Sequence, residues 1–77
     1  DPAQVAKELD SSLFIAKCFR ENGYPRVPDP DYFNRNVNLD AYTTEEWDFN
    51  EDDPIVQTWQ ACAEKMPEEL KDEEWDD

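Results

Sequence analysis

The sequence contains no histidine, one glycine, one methionine and only two cysteines among its 77 residues. Without histidine, a serine or cysteine nucleophile activated by an imidazole is excluded. Two cysteines and no histidine also exclude a tetrahedral zinc site of the usual ligand set within one chain. The redox motif CxxC is absent as well. The sequence therefore predicts a protein that is not an enzyme.

Long hydrophobic runs are missing too. The longest uncharged apolar run, Leu13 to Ala16, is far shorter than the roughly 20 residues that cross a bilayer as a helix. No hydrophobic core of a signal peptide is present either. If the protein is exported, we expect this sequence to be its mature form or an excised domain.

Basic residues are few, and the formal net charge is −14 from 21 acidic and 7 basic residues. Residues 1–35 hold six acidic and five basic residues, whereas residues 36–77 hold fifteen and two. Such a field repels phosphates, which argues against nucleic acids and against direct binding to anionic lipid. It attracts a cation or a basic protein. The alternative is that the charge only keeps the chain soluble.

The two cysteines, Cys18 and Cys62, each lie in a stretch that reads as an amphipathic helix. A domain this small usually needs a disulfide, a metal or a partner for stability. We therefore predict a Cys18–Cys62 disulfide, which places the protein outside the cytosol. Closing a loop of that length stabilises the fold by roughly 4 kcal/mol in the chain-entropy model. The alternative is a pair of buried free thiols.

The first predicted helix covers residues 3–21, which include good helix formers and neither glycine nor proline. Asn22-Gly23 then supplies a stop, with Gly23 as a left-handed cap. A break near residues 10–12 is an alternative, since an aspartate or serine there could cap a fresh helix. The apolar face of this helix contains Phe14, Ile15, Cys18 and Phe19.

The second predicted helix starts at Asp53-Pro54, where a carboxylate N-cap precedes a proline at the first helical position. Pro67 ends it or begins a new turn. Four side chains at helical spacing form a single apolar stripe. They are Ile55, Trp59, Cys62 and Met66.

A long connection between the helices contains three prolines, which favour extended backbone. Further along, Thr43 and Glu46 resemble a capping box, which predicts a short helical turn carrying Trp47. Six aromatic residues of this connection are expected to fill the core, and a solvent-facing subset would be a binding surface. They are Tyr24, Tyr32, Phe33, Tyr42, Trp47 and Phe49.

The predicted fold class is all-α: two principal helices joined by a disulfide, a long aromatic-rich loop between them and an acidic C-terminal tail. We place the disulfide-stapled domain at residues 1–67 and the tail at residues 68–77. Seven acidic residues and one lysine in that tail repel one another, so we expect fraying. Trp75 is the exception, because an aromatic residue there calls for docking on the body or on a partner.

Residues 18–25, CFRENGYP, are followed by a VPDP segment, and together they resemble a pattern of small secreted proteins and lipoproteins of actinobacteria. Asp53-Pro54 and Ala61-Cys62 resemble the second half of that pattern, so the similarity spans about residues 12–66. The chain departs from it at Phe19, where methionine is usual, and at Trp59, where a small residue is common. The resemblance implies an exported, often lipid-anchored domain with a bridge between its cysteines. The resemblance implies no activity. It suggests a structural role for Arg20 or Glu21 in a local ion pair.

Calcium is the alternative ligand. Asp48, Asn50 and Asp52 match the first three ligand positions of a helix–loop–helix calcium loop. The match then fails, because the sixth position is Asp53 rather than glycine and the twelfth is Trp59 rather than glutamate. A non-standard site for Ca²⁺ or another cation remains as a hypothesis, and no other cofactor is expected.

The acidic C-terminal half carries interleaved aromatic residues, and this combination predicts a non-enzymatic, extracytoplasmic protein-binding module. Carboxylates would speed the encounter with a partner, and aromatic side chains would supply buried anchors. We expect the partner to be a basic protein or a subunit of a membrane complex. The expected location is the cell surface, with lipid anchoring through a segment absent from this chain. The candidate binding residues are Trp47, Phe49, Asp52 and Trp75.

Overall fold

The computed structural model describes residues 2–71, so Asp1 and residues 72–77 lie outside the described range. It contains helix α1 at Pro2–Glu21, helix α2 at Pro54–Lys65 and a short 3₁₀ turn at Glu68–Leu70. No strand occurs in residues 2–71. The all-α prediction is confirmed.

Helix α1 runs without interruption through the region where a break was an alternative. The Ser11 hydroxyl does not cap a new helix there, because it donates a hydrogen bond to the carbonyl of Leu70, 59 positions along the chain. Ile15, Cys18 and Phe19 are buried as predicted, together with Ala16, and Phe14 packs at the edge of the core. One face of α1 therefore supplies about half of the buried residues.

The end of α1 depends on Gly23, whose φ is +101°. The backbone N–H groups of Asn22 and Tyr24 both donate to the carbonyl of Phe19, at N···O distances of 3.0 Å. These bonds satisfy a carbonyl that has lost its helical partner. The predicted glycine stop is confirmed, and it turns the chain back toward α1.

Helix α2 begins as its sequence predicts. The Asp53 carboxylate accepts a hydrogen bond of 2.9 Å from the N–H of Ile55, and Pro54 occupies the first turn. At the other end Met66 adopts extended backbone, as expected of a residue before Pro67. The predicted stripe is buried at Ile55, Cys62 and Met66.

Trp59, the fourth member of that stripe, keeps 39% of its surface exposed. Its ring meets the edge of Phe19 with centroids 5.8 Å apart. It therefore closes one side of the core and presents its other side to solvent.

The predicted disulfide is confirmed: Cys18 and Cys62 are bonded, with their Cα atoms 5.9 Å apart and a sequence separation of 44. Both cysteines belong to the core. The bond therefore joins α1 to α2 inside the apolar cluster. In the part of the chain that the structure describes, nine residues are buried: Ile15, Ala16, Cys18, Phe19, Val27, Leu39, Ile55, Cys62 and Met66.

The connection between the helices packs as an ordered loop. Val27 and Leu39 are buried in the core. Tyr24 meets Phe19 edge-on at 5.4 Å and Tyr42 at 5.1 Å between ring centroids. The hydroxyl oxygen of Tyr42 accepts a hydrogen bond from the N–H of Arg26. Aromatic contacts thus tie the loop to α1, as its composition predicted.

Two local predictions in this loop have different outcomes. The capping box is wrong, because the Thr43 hydroxyl donates to the carbonyl of Leu39, and Trp47 follows an isolated turn rather than a helix. Of the two residues proposed for an ion pair, Arg20 makes it, with Nη2 lying 2.9 Å from the Asp29 carboxylate. Arg20 also donates from Nη1 to the Val27 carbonyl at 3.1 Å.

The described part of the segment expected to fray is ordered against the body. Glu68–Leu70 forms the 3₁₀ turn, and Leu70 packs against the core. The hydrogen bond from the Ser11 hydroxyl to the Leu70 carbonyl attaches the same turn to α1. Residues 68–70 are thus placed against apolar neighbours through Leu70, and residues 72–77 of the predicted tail lie outside the described residues.

Replacing Cys18 and Cys62 together with alanine should lower the free energy of unfolding by about 4 kcal/mol, since the closed loop no longer restricts the unfolded chain. Urea denaturation followed by circular dichroism measures this loss. The wild-type protein treated with reductant is the matched comparison and should lose a similar amount. An unchanged denaturation midpoint in both samples would contradict the prediction.

Replacing Gly23 with alanine should lower the free energy of unfolding by about 1–2 kcal/mol, because an L side chain is strained at this φ. A steric clash adds nothing, since a Cβ atom built on Gly23 meets no atom of the described residues within 4 Å apart from its chain neighbours. The Gly23→Asn variant should lose less, because asparagine tolerates positive φ better than alanine does. Chemical denaturation of the three proteins tests this order, and equal stabilities would refute it.

Candidate functional site

The acidic loop, residues 48–52, precedes α2 and is exposed throughout. Its backbone is held by hydrogen bonds from Asn50 N–H to the Asp48 carbonyl and from Asp53 N–H to the Asn50 carbonyl. Because Asp53 also caps α2, the loop is attached directly to a helix end. The result is an acidic surface whose backbone is fixed to the start of α2. Phe49 lies in the middle of this loop and is 60% exposed.

Of the four predicted binding residues, the structure describes three, and two of these lie together on the acidic loop. Phe49 and Asp52 both lie on the acidic loop and are exposed. Trp47 is half-buried and packs against the core, and its buried indole Nε1 has no hydrogen-bond partner among residues 2–71. Trp75 lies outside the described residues. Trp47 is thus mainly a packing residue, and Phe49 is the exposed aromatic group of this region.

Two further exposed aromatic residues, Tyr32 and Phe33, were expected in the core. Tyr32 is 66% exposed and Phe33 is fully exposed. They sit on a tight turn in which the Asp31 carboxylate accepts hydrogen bonds from the N–H groups of Phe33 and Asn34. An aspartate that caps its own turn in this way is a recognisable local signal in the sequence.

Beside that turn lies a groove of about 770 Å³, which we call the interhelix groove. Residues 33–37 form one wall, the polar face of α1 forms another, and α2 with the 3₁₀ turn completes it. Phe33 stands at its edge. The apolar residues that line it are Ile15, Val37, Trp59, Ala63, Met66 and Leu70.

The net charge of the side chains that line this groove is opposite in sign to the net charge of the whole molecule. Lys7 and Arg35 line it together with a single acidic residue, Glu8. Arg35 Nε lies 3.8 Å from the Glu8 carboxylate, and both side chains are partly exposed, so the pair is weak. The groove therefore carries a small positive excess on a chain whose net charge is −14.

The proposed calcium ligands are only partly brought together. Asn50 and Asp52 line one shallow depression with Glu51 and Asp53, and Asp48 does not. One oxygen of Asp53 is already used in capping α2. Within residues 2–71, no three side chains among histidine, cysteine, aspartate and glutamate are placed to hold a metal ion. The calcium hypothesis therefore gains no geometric support and stays a prediction.

Neither helix of residues 2–71 combines the length and the hydropathy that a bilayer-crossing segment requires. The disulfide is consistent with an extracellular location. Comparisons with protein-family models, with curated proteins and with solved structures find no match to this chain. The resemblance to actinobacterial secreted proteins and lipoproteins therefore remains a prediction from the motifs alone.

Trp47 and Phe49 should respond differently to truncation. Trp47→Ala should lower the free energy of unfolding by about 2 kcal/mol, because the side chain packs against the core. Phe49→Ala should change it by less than about 0.5 kcal/mol, as expected for an exposed position. Trp47→Phe keeps much of the packing and removes the unpaired donor, so it should cost little. Thermal and urea denaturation of the three variants test this, and a large loss in Phe49→Ala would overturn the assignment.

Proposed function

We propose that this chain is a non-enzymatic, extracytoplasmic protein-binding module that engages a basic surface of a partner through the acidic loop. The observation that carries this proposal is Phe49, which is 60% exposed and surrounded by exposed carboxylates. A large apolar side chain held outside the core gains free energy only when a partner covers it. The loop therefore combines an anchor with charge of one sign.

Electrostatics supports a basic partner. Residues 36–77 contain fifteen acidic and two basic residues, and Asp48, Glu51 and Asp52 lie exposed on the loop itself. A field of one sign raises the rate of encounter with an oppositely charged protein. Such charges at the rim of an interface act mainly on association and on its dependence on salt.

The anchor supplies affinity. Burying a phenylalanine side chain is worth about 1.5–3 kcal/mol, and a few aromatic residues usually dominate an interface. Hydrogen bonds within residues 48–53 and the cap of α2 restrict the backbone around Phe49 before binding. Less ordering is then needed on association, which leaves more of the burial free energy for affinity.

The proposed location is the cell surface. The disulfide supports an oxidising compartment, and the resemblance of residues 12–66 to actinobacterial lipoproteins supports anchoring to a membrane through a segment absent from this chain. A partner in that setting would be a basic protein of the cell envelope or a subunit of a membrane complex.

The test begins with capture of proteins from a cell-envelope extract on the oxidised domain, followed by calorimetric titration of the purified partner. Phe49→Ala should weaken binding by about tenfold or more, because truncating an interface anchor typically costs over 1 kcal/mol. Glu51→Gln combined with Asp52→Asn should slow association, and high salt should diminish that difference.

Tyr32→Ala is the matched control, since Tyr32 is a comparably exposed aromatic residue outside the acidic loop. It should leave the affinity nearly unchanged. Affinity that is insensitive to both salt and Phe49→Ala would refute the proposal.

Calcium is tested separately, by thermal unfolding in millimolar CaCl₂ against NaCl of equal ionic strength. A Ca²⁺-specific rise that Asp48→Asn with Asp52→Asn abolishes would favour the cation hypothesis instead.

A further inference from the structure

The interhelix groove is the second feature of the surface that calls for a ligand. Its volume of about 770 Å³ lies within the range of roughly 300–1,000 Å³ that is typical of small-molecule sites. Helix α1 lines it with side chains at positions 4, 7, 8, 11, 12 and 15, which is the spacing of one helical face. Those positions extend over about 16 Å at the rise of an α-helix. The groove therefore has the length to hold an extended hydrocarbon chain.

The floor of the groove is apolar. Ile15 and Met66 are buried in it, whereas Trp59 lines the same groove with 39% of its surface exposed. An aromatic ring and a thioether offer apolar contact to ligands of different shapes. A hydrocarbon chain that covered this floor would remove apolar surface from water, which is the driving force for binding.

The cationic side chains of the groove select the head group of the ligand. Lys7 is half-buried and makes no ion pair within residues 2–71. The weak pair between Arg35 and Glu8 uses Nε, which leaves both Nη nitrogens of the guanidinium as further donors. A guanidinium group binds a carboxylate in a bidentate geometry. A ligand carboxylate would therefore be the complementary group.

We propose that the interhelix groove is a binding site for a small amphiphile that carries one carboxylate on an unbranched apolar chain. The apolar floor contacts the chain, and Lys7 and Arg35 bind the carboxylate. This site is separate from the acidic loop, and its occupation is independent of the function proposed for that loop.

The net charge of the molecule favours a small ligand over a larger acidic one. A second copy of the chain, or an anionic bilayer, would bring many negative charges close to the fifteen acidic residues of positions 36–77. A single carboxylate responds mainly to the nearest charges, because those beyond about 8 Å are screened at physiological ionic strength. The positive excess at the groove therefore decides which head group binds.

Dodecanoate is the probe, and nuclear magnetic resonance follows its binding to the oxidised 77-residue chain below the micellar concentration. We expect saturable changes in the amide shifts of residues 33–37 and 59–66. Decanoate should bind roughly fivefold more weakly, because two fewer methylene groups are buried. Dodecyltrimethylammonium has the same chain length and a cationic head group, so it should leave the amides of residues 33–37 nearly unchanged. Equal shifts at the groove with both head groups would overturn the proposal.

Charge variants test the contact with the carboxylate. Lys7→Gln with Arg35→Gln should weaken dodecanoate binding by about tenfold, because both cations of the groove are lost. Lys17→Gln is the matched control, since Lys17 is an exposed lysine of α1 that does not line the groove, and it should bind as the wild type does. Circular dichroism verifies that each variant is folded.

Three results would contradict the proposal. The first is the absence of saturable shifts at the groove with dodecanoate. The second is an equal affinity of the wild type and the Lys7→Gln, Arg35→Gln variant. The third is a dimer, detected by sedimentation without ligand, whose formation shifts the same amides, because it would assign the groove to a second copy of the chain.

Discussion

The covalent bond between Cys18 and Cys62 is the constraint on which this fold depends. Among residues 2–71 only nine are buried, and a core of that size offers little to hold two helices together against chain entropy. The bond lies within this core and joins two residues whose sequence separation is 44. With α1 and α2 joined at that point, residues 22–53 need only pack around an existing centre, through Val27, Leu39 and the rings of Tyr24 and Tyr42.

The small core also decides where the aromatic residues go. Phe19 is fully buried and meets Tyr24 on one side and Trp59 on the other. Once this position is filled, a domain with so little interior has no room for the remaining rings, and Phe33 and Phe49 stay exposed. Exposure of apolar rings in a chain of this charge is therefore a consequence of size, and the proposed binding surface is built on one of those rings.

Sequence reasoning succeeded wherever the deciding interaction is local or covalent. The glycine stop at Gly23, the Asp53 cap and the Cys18–Cys62 pair are each specified by a few residues. It failed where a side-chain hydroxyl has a competing acceptor. The Thr43 hydroxyl bonds the carbonyl of Leu39, four residues earlier, and the Ser11 hydroxyl bonds the carbonyl of Leu70, 59 positions away. Neither partner is apparent before the chain is folded. The same limit explains why the interhelix groove, assembled from three separate parts of the sequence, was not predicted.

The position of the disulfide has a consequence for proteolysis. The long loop, where a protease finds irregular backbone, lies entirely between Cys18 and Cys62. A single cut anywhere between the two cysteines leaves fragments that are still joined by the bond. The helices and most of the core would stay together after such a nick. A domain built in this way tolerates cleavage of its most accessible segment without losing either half.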